Sequence, residues 1–207
     1  MTLAFRHRWV PGSAAGPGTT LLMLHGTGGN EDDLVPLGEA LLPGAPLLSP
    51  RGQVLEQGMP RFFRRLAEGV FDEQDLIRRT HELADFIAAA AAEYGFMSTR
   101  VAAVGFSNGA NIAASLLMLR PEALSAAVLL RAMVPLRLDR MPQLAGRRVL
   151  ISEGRYDPIV PRAQGEELAT MLRDAGANVT LEWREAGHNL VQDDVDASRR
   201  WLASLDT

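Results

Sequence analysis

The pentapeptide Gly105-Phe106-Ser107-Asn108-Gly109 constrains this chain more than any other stretch. It joins an apolar run, Arg100 to Phe106 (RVAAVGF), to an apolar helical pattern, Asn108 to Leu119. A G-x-S-x-G turn between a buried strand and a helix lifts the serine hydroxyl onto a bend too tight for side chains two residues to either side. The helix that follows presents its positive end to that hydroxyl. Without this context the motif would read as a serine capping a helix after a glycine turn. With it, Ser107 is a candidate nucleophile.

The same alternation runs through the rest of the chain. Apolar runs read as strands near Leu3–Val10, Thr20–Leu24, Pro46–Ser49, Ala126–Leu130, Arg148–Ser152 and Val179–Trp183. Amphipathic patterns read as helices over Glu31–Leu42, Asp72–Tyr94, Arg162–Asp174 and Asp193–Leu205, with Asp72 as an N-cap and Gly95 as a stop. Near-continuous apolar strands alternating with helices imply an α/β chain. Its sheet is mostly parallel and doubly wound, with helices on both faces. All 207 residues are expected to form one domain, with no large cap. Residues 51–70 fit neither pattern and are expected to be a long loop beside the site.

Composition narrows the function. The apolar share of 47% and charged share of 22% are those of a globular protein. A net charge of −4 without a basic run argues against nucleic-acid binding. Cysteine is absent, so a disulfide scaffold, a Cys-ligated zinc site and a cysteine nucleophile are excluded. The longest apolar run, Phe86 to Ala92, is far short of the ~18 residues that span a bilayer. Residues 1–18 lack the apolar stretch of a secretory signal, so a cytoplasmic protein is expected.

A serine hydroxyl needs a base, and the order expected on such a sheet is Ser, then Asp or Glu, then His. Of four histidines only His188 follows Ser107. Its loop comes after the last strand. The aspartates between them are Asp139, Asp157 and Asp174. Asp157 is the one in a loop directly after a strand, where ligand groups gather in parallel sheets. Glu153 is a weaker competitor inside the strand. His25-Gly26-Thr27-Gly28-Gly29-Asn30 opens a glycine-rich loop after Thr20–Leu24. It lacks the spacing of a phosphate-binding loop. The backbone N–H groups of Thr27 and Asn108 are the expected oxyanion donors, with His25 as a brace for the loop.

Together these residues resemble the α/β-hydrolase superfamily, and within it the phospholipase/carboxylesterase family. The resemblance rests on HGTGGNEDDL at 25–34, LLSPRG at 47–52, GMPRFFRRL at 58–66, GFSNGANIAASLL at 105–117, LLRAMVP at 129–135, DPIVP at 157–161 and AGH at 186–188. The combination of SPRG, MPRFF and GFSNGAN is most similar to small bacterial carboxylesterases linked to hydroquinone and aromatic-ring-cleavage pathways. The resemblance implies a Ser107, Asp157, His188 triad that cleaves short-chain or aromatic esters without cofactor or metal. Acyl-protein thioesterases carry Gln-Gly-Gly after the serine. This chain has Asn108-Gly109-Ala110, which points away from protein deacylation. Thioester or lysophospholipid hydrolysis, and ligand binding with little turnover, are the alternative readings.

Met59, Phe62, Phe63 and Met133 are the candidate wall of an apolar substrate pocket. Arg61, Arg64 or Arg65 could attract an anionic group on a small-molecule ester. Oligomeric state is open, a homodimer included.

Overall fold

The computed structural model describes residues 3–205. In chain order its elements are β1 (His7–Val10), β2 (Thr20–Leu24), α1 (Val35–Leu41), β3 (Leu47–Pro50), β4 (Val54–Glu56), β5 (Met59–Arg61), β6 (Arg65–Ala67) and β7 (Val70–Phe71). Then come α2 (Glu73–Tyr94), β8 (Val101–Phe106), α3 (Asn108–Leu119), β9 (Ala126–Leu130), β10 (Arg148–Gly154), α4 (Arg162–Asp174), β11 (Asn178–Arg184) and α5 (Gln192–Ala203). Seven strands form one sheet in the order β1-β3-β2-β8-β9-β10-β11. Only β1 runs antiparallel to its neighbour.

The apolar strands bury both faces, and successive side chains alternate between two cores. Leu22, Leu24, Ala103, Leu129 and Ile151 face Leu83 of α2, Leu116 of α3 and Leu168 of α4. Leu21, Met23, Val104, Val128 and Leu150 face Leu41 of α1 and Leu202 of α5. Each fully buried leucine contributes about 1.5–3 kcal/mol. This is the three-layer α/β-hydrolase architecture. The caps of α2 are as expected: Asp72 Oδ1 accepts from the Asp75 N–H at 3.1 Å, and Gly95 takes the left-handed conformation at φ 73°.

Three stretches differ from expectation. The first helix starts at Val35 instead of Glu31, because Asn30, Asp32 and Asp33 close a turn on their own side chains. Asn30 Oδ1 accepts from the Asp32 N–H at 2.8 Å, and Asp33 Oδ2 from the Asn30 N–H at 3.2 Å. The first strand is confined to His7–Val10. Residues 51–70 are not a plain loop: β4 pairs with β5, and β6 with β7, as two small antiparallel hairpins. They rise beside the carboxyl ends of β2 and β8.

Candidate active site

The site lies where loops leave the carboxyl ends of the parallel strands. Ser107, between β8 and α3, has φ 52° and ψ −113°, a conformation that L-residues seldom adopt. Its N–H donates to Leu130 O at 2.9 Å, which ties the bend to the end of β9. Both flanking glycines are required by space. A Cβ at Gly105 would sit 2.5 Å from Gly109 O, and one at Gly109 would sit 2.0 Å from Leu24 O.

His188 lies in the turn after β11. With its proton on Nδ1 it donates to Asp157 Oδ2 at 2.7 Å, and its Nε2 accepts from Ser107 Oγ at 2.9 Å. Asp157, after β10, is fully buried at its carboxylate. Its second oxygen accepts from the N–H groups of Ile159 at 2.8 Å and Val160 at 3.1 Å. Those bonds fix the carboxylate so that one oxygen faces the imidazole. Asp174 ends α4, and neither it nor Asp139 bonds to His188.

Glu153 is buried in β10, and the ring nitrogens of His188 bond to Asp157 and Ser107 instead. Its Oε1 accepts from the Ala132 N–H at 2.9 Å, while Oε2 has no partner among the described residues. Burial pushes its carboxyl from the ordinary 4.5 to about 8, against the opposing pull of Ala132 N–H and the Arg131 charge.

Thr27 and Asn108 line the same cavity as Ser107 and His188, about 320 Å³ in volume. Neither backbone N–H is spent on another group among the described residues. Two contacts hold the 54–61 hairpin against this wall. Asn108 Oδ1 accepts from the Phe62 N–H at 2.7 Å, and the Gly28 N–H donates to Pro60 O at 2.9 Å. His25 is buried beside the glycine loop. Its Nδ1 donates to Gly26 O at 2.7 Å, and its Nε2 accepts from the Gly52 N–H at 2.9 Å. Burial lowers its pKa, in keeping with a neutral ring that accepts.

The apolar wall is composed differently from the sequence expectation. Of the four candidates, only Met133 lines the cavity. Phe62 and Phe63 turn inward into the core, Phe62 against the His25 ring at 4.7 Å and Phe63 edge-on to Phe71 at 5.1 Å. Met59 lies outside the cavity, 39% exposed, against the outer side of Gly28. The wall is instead more polar. Arg61, Arg65 and Asn111 line it together with Phe71, Ile159 and Val160. Arg61 is buried and donates from Nη1 to Thr27 Oγ1 at 2.6 Å. It shares the Glu56 carboxylate with Arg65. Arg64 points away and pairs with Asp72.

The model of the phospholipase/carboxylesterase family matches residues 12–205. The chain belongs to that family. It is 53% identical over 181 residues, 87% of this chain and 90% of the relative, to MhqD of Bacillus subtilis (strain 168), itself provisionally named a hydrolase. The Bacillus cereus carboxylesterase structure superposes with a TM-score of 0.93 at 50% identity, covering 97% of this chain and 94% of that one. YahD, solved with malic acid, superposes with a TM-score of 0.90 at 30% identity, covering 97% of this chain and 98% of that one. The family member described here is therefore an enzyme, a hydrolase of the carboxylesterase kind with the α/β-hydrolase fold.

Arg131 and Asp194 escaped the sequence reading, although both are almost fully buried next to the loop that carries His188. The signal was present as a charged residue inside the apolar stretch LLRAMVP.

Proposed function

We propose that the protein is a serine esterase in which Ser107 attacks the ester carbonyl and His188 takes its proton. Asp157 holds the imidazole in the reactive tautomer and stabilises the imidazolium. The Thr27 and Asn108 amides receive the oxyanion, and losing one such donor commonly costs ~10²–10³ in turnover. His188 then protonates the leaving alcohol, and water releases the acyl group. The observation that carries this reading is the unbroken hydrogen-bonded chain from Ser107 Oγ through His188 to Asp157. Fluorophosphonate labelling of the intact protein tests it, with the modified residue located by mass spectrometry. Stoichiometric modification at Ser107, lost in Ser107→Ala and His188→Ala, is expected. Folded protein that does not label would leave binding without turnover as the better reading.

The substrate we infer is a small ester carrying a carboxylate. Two guanidiniums on the cavity wall, Arg61 and Arg65, share the single carboxylate of Glu56, which does not itself line the cavity. That YahD was solved with malic acid, a dicarboxylic acid, supports this reading. A charge-assisted hydrogen bond to Arg61 predicts a preference of ~10-fold or more for monomethyl succinate over methyl butyrate in kcat/KM. Arg61→Met should remove the preference and Arg64→Met should keep it. Equal values in the wild type refute the anionic assignment while leaving the triad untouched.

A further inference from the structure

We propose that Arg131 is the positioning residue for His188, gripping the backbone on both sides of the histidine. The inference rests on the triad reading. Arg131 follows β9, is fully buried and commits all five of its N–H groups. Nε donates to Gly187 O at 3.1 Å, and Nη2 to Asn189 O at 2.9 Å. These are the carbonyls of the two residues that flank His188. The remaining donors go to Ser152 O at 3.1 Å and to the Asp194 carboxylate, at 3.1 Å from Nη1 and 2.7 Å from Nη2.

The main chain at the same position serves the nucleophile. Leu130, the residue before Arg131, accepts the Ser107 N–H, and the Arg131 N–H donates to Ser152 O at 2.9 Å. Arg131 holds φ 59°, a left-handed conformation that costs a non-glycine residue energy and persists only when its surroundings enforce it. The bend turns the guanidinium from the end of β9 across β10 to the loop after β11. One residue thus references the nucleophile and the base to the same strand end.

Asp194, in the first turn of α5, completes the device. It also accepts from Ser152 Oγ at 2.7 Å and from the Val191 N–H at 3.0 Å, so it anchors the far end of the histidine loop. Arg184 approaches it at 3.4 Å. Burial pushes the Asp194 carboxyl up, but the bonds from Arg131, Ser152 and Val191 outweigh that and hold it below the ordinary range. Arg131 therefore keeps a charged partner. A buried ion pair alone is weak evidence for stability, since apolar residues fill such space as well. The bonds to the two carbonyls beside His188 are what a filler would not supply.

The test compares Arg131→Lys and the uncharged pair Arg131→Gln/Asp194→Asn with wild type. It reads kcat and KM on 4-nitrophenyl acetate, the fluorophosphonate labelling rate at Ser107, and Tm. Neither replacement can reach both carbonyls. A folded variant is expected to lose ~10²-fold in kcat and in labelling rate, the scale of a 1 Å misplacement, with KM within about twofold. A folded variant with wild-type kcat overturns the proposal. So does failure of both variants to fold, which would make Arg131 a residue of the core. Wild-type protein that does not label at Ser107 would instead defeat the triad reading, and that result is read before the variants.

Discussion

Replacing Glu153 by glutamine should make the protein more stable at neutral pH. The carboxyl is 1% exposed, one of its oxygens has no partner, and its pKa is about 8 instead of 4.5. Between those two values the folded chain holds a proton that the unfolded chain has released. Stability contributed by the neutral form is then complete below about pH 4.5 and is lost as pH rises toward 8. Each pH unit across that window removes about 1.4 kcal/mol, so at pH 7 the loss is about 3 kcal/mol. Glutamine stays neutral in both states and keeps the carbonyl that accepts the Ala132 N–H. For a chain of this size the gain corresponds to roughly 6–12 °C in Tm. Thermal melts of wild type and Glu153→Gln from pH 4.5 to 8 read the difference directly. The two Tm values should converge near pH 4.5 and separate as pH rises. A gap that stays constant with pH, or a variant that melts lower at pH 7, would refute the assignment of a neutral buried carboxyl.

Asp157→Asn should leave Tm nearly unchanged and lower kcat by about 10⁴-fold, measured on 4-nitrophenyl acetate, because the imidazole would be held in the wrong tautomer. Ser107→Ala should cost on the order of 10⁶-fold in kcat while the protein still melts cooperatively. Gly109→Ala places a methyl group 2.0 Å from Leu24 O, so the bend must open; a lowered Tm together with loss of fluorophosphonate labelling is expected. Arg61→Met should leave the kcat/KM for methyl butyrate within about threefold of wild type and reduce that for monomethyl succinate by ~10-fold.

Much of this architecture was legible because burial leaves a periodic mark. The strand at Thr20–Leu24 and the helices over 108–119 and 162–174 coincide with their apolar patterns. Ser107, Asp157 and His188 could be picked out since each sits where one strand ends, and chain order left one histidine. The hairpins at 54–71 were not legible. Their strands are two or three residues long, and side chains at the edge of a sheet carry little alternation. Phe62 and Phe63 misled for a related reason. Aromatic residues beside a site look like pocket wall, yet this pair anchors the hairpin to the core. Arg131 was hidden by its partner, 63 residues away in sequence. A buried charge is neutralised by a residue that no local pattern can reveal.

In the proposed triad the base is 81 residues from the nucleophile, and the carboxylate proposed to secure its loop lies further on still, in α5. During synthesis the serine therefore leaves the ribosome long before anything that can activate it. On the triad reading, a nascent chain, or one cut before residue 188, carries an ordinary alcohol. The same reading makes reactivity toward an electrophile a property only of finished molecules, so that covalent labelling of Ser107 would count the natively folded fraction of a sample.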